Sequence, residues 1–90
     1  MKITLYLVPE DEDGKLIREF LQRNNILFEE IITDNINSLQ RIAHFPISRK
    51  VSLLEIKYSS HIQVITGFIK WDLERLLEHI NKYKPKIEIY

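Results

Sequence analysis

Residues 3–8, Ile-Thr-Leu-Tyr-Leu-Val, are almost wholly apolar on both alternating faces. A two-sided apolar run that stops at a proline, Pro9, predicts a central strand covered on both sides rather than a strand with one wet face. After the acidic turn Glu10–Gly14, Leu16, Ile17, Phe20 and Leu21 recur at helical spacing, with Lys15, Arg18, Glu19, Gln22 and Arg23 on the other face. Asn24-Asn25 suits the end of that helix, because Asn tolerates the left-handed backbone found there. Residues 28–33 predict a second short strand. Asp34 is then the expected N-cap of a second helix carrying Ile36, Leu39, Ile42 and Ala43, ended by Phe45-Pro46. Residues 51–58 and 62–66 predict two strands joined through Ser59-Ser60 as a β-hairpin, closed by Gly67. A last helix carries Leu73, Leu76, Leu77 and Ile80 inward and Glu74, Arg75 and Glu78 outward. The tail, Pro85–Tyr90, alternates like an extra edge strand.

The order is β-α-β-α-β-β-α. The first β-α-β unit predicts a right-handed parallel crossover and the hairpin an antiparallel pair, so the expected class is α/β with a four-stranded mixed sheet and helices on both faces. Ninety residues hold one core, assigned here to residues 1–83, with 84–90 as a tail. An apolar fraction of 44%, with two glycines and three prolines, argues against disorder. Thirteen basic residues balance thirteen acidic ones, which predicts no nucleic-acid footprint. No apolar run approaches the ~20 residues of a membrane span, and the β-like N-terminus does not read as a signal peptide; the expected location is the cytoplasm. The chain has no cysteine, which excludes disulfides, thiolate catalysis and cysteine-based metal sites.

Three short stretches carry a family resemblance: Asn24-Asn25-Ile26-Leu27-Phe28-Glu29-Glu30, Val51-Ser52-Leu53-Leu54-Glu55-Ile56 and Val64-Ile65-Thr66-Gly67-Phe68. In this order and spacing they resemble the glutaredoxin branch of the thioredoxin fold over about residues 1–83. The resemblance implies a thioredoxin-like sheet and a site at the start of the first helix. The family's Cys-x-x-Cys would fall on Asp11-Glu12-Asp13-Gly14, its cis-proline on Ser52, and the acid that meets the glutathione amine on Ile69. Each of these positions departs from the family. A cis peptide before a non-proline costs ~2.5–4 kcal/mol, so the Val51–Ser52 bond is expected to be trans.

The resemblance places a groove at Val51, Ser52, Gly67, Phe68, Ile69 and Lys70. A carboxylate at Asp11 keeps the negative charge that a helix N-terminus favours but supplies no nucleophile for thiol–disulfide exchange. The acids of residues 10–13 read as capping and dipole residues; they lack the ligand spacing of a calcium loop, and no metal or cofactor is expected. The same acids would repel glutathione, a net anion, and Val8 and Pro9 offer no cation to its carboxylates. The helix start near Ile69–Lys70 is the one feature that favours an anion. His44, His61 and His79 lie on different elements without metal-ligand spacing and read as surface or partly packed residues. Phe68 and Trp71 read as packing residues, with an exposed anchor for a partner as the alternative. The expected function is therefore a redox-inactive, protein-binding or regulatory domain, with a homodimer through the tail or fourth strand among its options. The competing expectation is a glutathione- or small-anion-binding protein of glutathione-transferase N-domain type, with Tyr6 and Ser52 as the only hydroxyls near the groove.

Overall fold

A computed structural model describes residues 1–44, 46, 47 and 49–83. Phe45 and the tail at 84–90, for which an extra strand is expected, lie outside the described residues. Among these the order is β1 (Lys2–Leu7), α1 (Glu12–Arg23), β2 (Glu29–Ile32), α2 (Ile36–Ala43), β3 (Leu53–Lys57), β4 (Ile62–Thr66) and α3 (Lys70–Tyr83). The strands form one mixed sheet in the order β2-β1-β3-β4. β2 runs parallel to β1, and the β1–β3 and β3–β4 pairs are antiparallel.

The two faces of β1 explain its two-sided composition. Ile3, Leu5 and Leu7 share a core with Ile17 and Leu21 of α1, Leu54 and Ile56 of β3, and Leu73 and Leu76 of α3. Val8 and Leu53 pack on the other side against Leu39 and Ala43 of α2. Leu5, Leu54 and Ile56 are fully buried, and each such side chain contributes ~1.5–3 kcal/mol by leaving water. The α2 side also carries two buried polar residues, Thr4 and Glu55, paired across β1 and β3.

Three expectations need correction. Leu16 is exposed, because the inward stripe of α1 is Gly14, Ile17 and Leu21, three and four residues apart, and Leu16 falls beside it. The N-cap of α2 is Asn35, not Asp34: Asn35 Oδ1 accepts from the backbone N–H groups of Asn37 (2.9 Å) and Ser38 (3.1 Å). Asp34, one residue outside, instead lies 3.9 Å from Lys50 Nζ. The second and third strands are shorter than expected, Glu29–Ile32 and Leu53–Lys57. Val51 and Ser52 belong to the loop entering β3, where Ser52 N–H is drawn to a side chain rather than to a neighbouring strand. At the helix ends, Asn25 (φ 55°) takes the left-handed conformation expected of the Asn pair. His44 (φ 64°) closes α2 in the same way.

Candidate functional site

The strand-to-helix turn after β1 and the loop entering β3 meet at Asp11 and Ser52, 41 residues apart in the chain. Asp11 is the N-cap of α1, with an extended backbone and Oδ1 accepting from Asp13 N–H at 3.3 Å. Its second oxygen, Oδ2, accepts from Ser52 N–H at 2.7 Å. Ser52 Oγ in turn accepts from Val8 N–H at 2.9 Å, and Asp11 N–H donates to the Val8 carbonyl at 3.0 Å. The three residues close a circuit that ties the exit of β1, the start of α1 and the entry to β3. Ser52 is fully buried within it. No cis peptide occurs among the described residues, so the Val51–Ser52 bond is trans as expected. Only because residue 52 is not proline does it have an N–H to give to Asp11.

Gly14 makes this approach feasible. A Cβ there would meet Ser52 Oγ, Ser52 Cβ (2.9 Å) and Leu7 Cδ1 (2.6 Å), so any side chain would push α1 away from the loop. Gly67, at φ 75°, turns the chain from β4 toward α3, where a Cβ would lie 3.3 Å from Asp13 Oδ2.

Above the circuit lies an open groove of about 550 Å³. Asp11, Asp13, Val51, Gly67, Phe68 and Ile69, all expected from the sequence, line it together with Glu10. Ser52 lies beneath rather than in it, and Gly14 is buried behind. Glu12 turns away toward Lys15 (3.6 Å), and Lys70 is outside the lining, 4.0 Å from Glu74. Sequence reasoning missed Arg49 and Lys50, which line the groove from the loop between α2 and β3. The cation expected in the groove, Lys70, is thus replaced by Arg49 and Lys50, which stand where Val8 and Pro9 offer none. The signal was a basic pair just ahead of an apolar strand, and only the position of that loop gives it meaning. The groove thus presents acids from the α1 side and cations from the β3 side, a dipolar lining rather than a uniformly acidic one.

The chemistry open to this arrangement is narrow. Both Asp11 oxygens accept backbone N–H bonds, and the Ser52 hydroxyl is sealed from solvent. Tyr6, the other candidate hydroxyl, is not in the groove: it lies on the α2 side of the sheet and donates to Glu55 Oε1 at 3.4 Å. Burial, followed by the Glu55 charge, the hydrogen bond to Glu55 and the Glu29 charge, raises its pKa above the ordinary 10.0.

Phe68 packs on the larger core cluster, whereas Trp71 is 68% exposed beside the exposed Ile69. His44 caps α2, but His61 and His79 meet on one ring: Tyr58 stacks on His61 at 4.5 Å and meets His79 edge-on at 5.0 Å. Among the described residues no three His, Asp or Glu side chains converge as a metal site requires. No helix of the described residues is long and apolar enough to cross a membrane. In comparisons with family models, curated proteins and solved structures, nothing matches this chain.

Proposed function

We propose that this chain is a redox-inactive, glutaredoxin-like domain of thioredoxin type that receives a protein partner in the groove above Asp11 and Ser52. The observation that carries the reading is the 2.7 Å bond from Ser52 N–H to Asp11 Oδ2. At the two positions where the resembled family has its nucleophile and its cis-proline, this chain has a donor and an acceptor that satisfy each other. A site rebuilt in this way holds the groove in shape and offers no leaving group, nucleophile or redox centre. The strand order β2-β1-β3-β4 with one parallel pair is compatible with the thioredoxin arrangement. Ile69 in the groove lining is exposed, and Trp71, two residues further along the chain and outside the lining, is exposed as well; the two supply the aliphatic and aromatic anchors that protein interfaces favour.

The test is affinity capture from the native cell with the unmodified chain and with Trp71→Ala and Val51→Arg variants. The expected outcome is a protein retained by the unmodified chain and lost from both variants. Capture indifferent to both substitutions counts against the groove.

A second reading, binding of glutathione or another small anion, is favoured by Arg49 and Lys50 in the lining. Titration with glutathione while following amide NMR shifts separates the two. Saturable movement at residues 10–14, 49–53 and 67–70 supports the anion, and a flat response excludes it.

A further inference from the structure

We propose that two copies of this chain pair through β2, antiparallel about a two-fold axis at Ile31, doubling the four-stranded sheet. Among the described residues β2 is a terminal strand, paired with β1 alone. Thr33 N–H donates to the Leu7 carbonyl; by strand alternation Ile31 also turns its backbone groups toward β1, and Glu30 and Ile32 turn theirs to the open edge. All four residues of β2 are exposed, Ile31 at 44% and Ile32 at 62%. A terminal strand that displays two isoleucines is a template for another strand.

The side chains decide the register. In a continuous antiparallel sheet a perpendicular two-fold keeps each face on its own side, so the axis must pass through a residue position. An axis at Glu30 sets two Glu30 carboxylates opposite each other. An axis at Ile32 sets Glu30 opposite Asp34 of the second copy. Only the axis at Ile31 opposes no like charges: Ile31 meets Ile31, Glu30 meets Ile32 and Glu29 meets Thr33. In that register the outward N–H and C=O groups of Glu30 and Ile32 bond those of Ile32 and Glu30 of the second copy. Glu30 is compatible with an apolar neighbour because Arg18 of its own α1 holds its carboxylate by two bonds, 2.9 and 3.1 Å. The contact is isologous and closes at two copies, whereas β2 pairing with β4 of another chain would propagate without end. The surface lies apart from the groove, so the dimer stands independently of the proposed function.

The cysteine-free sequence permits a direct test. Residues opposed at the axis form a non-hydrogen-bonded pair with Cα atoms about 4.5 Å apart, within the ~4.4–6.8 Å that a disulfide spans. Under mild oxidation Ile31→Cys should form a covalent dimer faster than Leu27→Cys or Ile62→Cys by a factor on the order of ten or more, since the thiols are already aligned. Sedimentation equilibrium of the unmodified chain should give twice the chain mass. Ile31→Lys should return it to one copy with an unchanged circular dichroism spectrum, and Ile62→Lys and Trp71→Ala should leave the dimer intact. A monomer at the highest attainable concentration, equal cross-linking at the three positions, or fastest cross-linking at Ile62 on β4 overturns the proposal.

Discussion

A methyl group added at Gly14 would run into the Ser52 side chain, which is fixed at both its hydroxyl and its N–H, and into Cδ1 of Leu7, a buried core residue. Overpacking of this kind costs ~1–3 kcal/mol, against a gain of ~1 kcal/mol from replacing glycine by alanine inside a helix. Gly14→Ala should therefore destabilise the fold by up to ~2 kcal/mol in urea unfolding, opposite in sign to the helix-propensity expectation. Ser52→Ala leaves the buried Val8 N–H without its acceptor, a loss of about 1–3 kcal/mol. Because that change also removes the hydroxyl that a Cβ at Gly14 would strike, the two substitutions should couple. In the Ser52→Ala background, Gly14→Ala should cost at least ~0.5 kcal/mol less than in the unmodified chain. Asp11→Cys removes both the cap of α1 and the acceptor for Ser52 N–H, so it should lower stability by about 1–2 kcal/mol. It should show no turnover in a glutathione-coupled disulfide assay; measurable turnover would show that only the thiol had been lost. Tyr6 gives a pH signature. Its phenol holds its proton more tightly in the folded chain than in the unfolded one, so its contribution to stability is complete below the unfolded value and is lost as pH rises through the folded value. Thermal melts should fall off above pH 10.0, and Tyr6→Phe should flatten part of that decline.

At the scale of the element, α2 and β2 show how far periodicity reaches. The apolar spacing located α2 within a residue or two, but the cap fell one residue late, since Asp34 and Asn35 are both good caps by type and only the backbone turn decides between them. Asn35→Ala should lower stability by ~0.5–2 kcal/mol, whereas Asp34→Ala, which touches only an exposed ion pair with Lys50, should stay within ~0.5 kcal/mol of the unmodified chain. The same measurement, urea midpoints at constant slope, checks both. In α1 the apolar residues were legible, but the inward stripe was not, because it includes Gly14. A glycine carries no hydrophobic signal, yet it sits where the helix comes closest to the sheet. β2 read correctly as a strand; that its isoleucines face solvent follows from its place at the end of the sheet, which alternation alone does not give.

At the scale of the molecule, a dimer through β2 makes thermal stability depend on concentration, because association draws on the folded state alone. The melting temperature should rise with protein concentration for the unmodified chain and stay constant for Ile31→Lys, as read by circular dichroism melts over a dilution series. The element order, the central strand with two apolar faces, the α/β class and the exclusion of thiol chemistry are all legible along the chain. Each of these depends on local periodicity or on composition, which survive in one dimension. Tertiary contacts set the rest: Asp11 bonds to Ser52, Arg49 and Lys50 line the groove, His61 and His79 share the Tyr58 ring, and β2 ends the sheet among the described residues. These are contacts between segments far apart in the chain. They are fixed by strand order and by the close approach that Gly14 permits, and no spacing rule along the sequence encodes either.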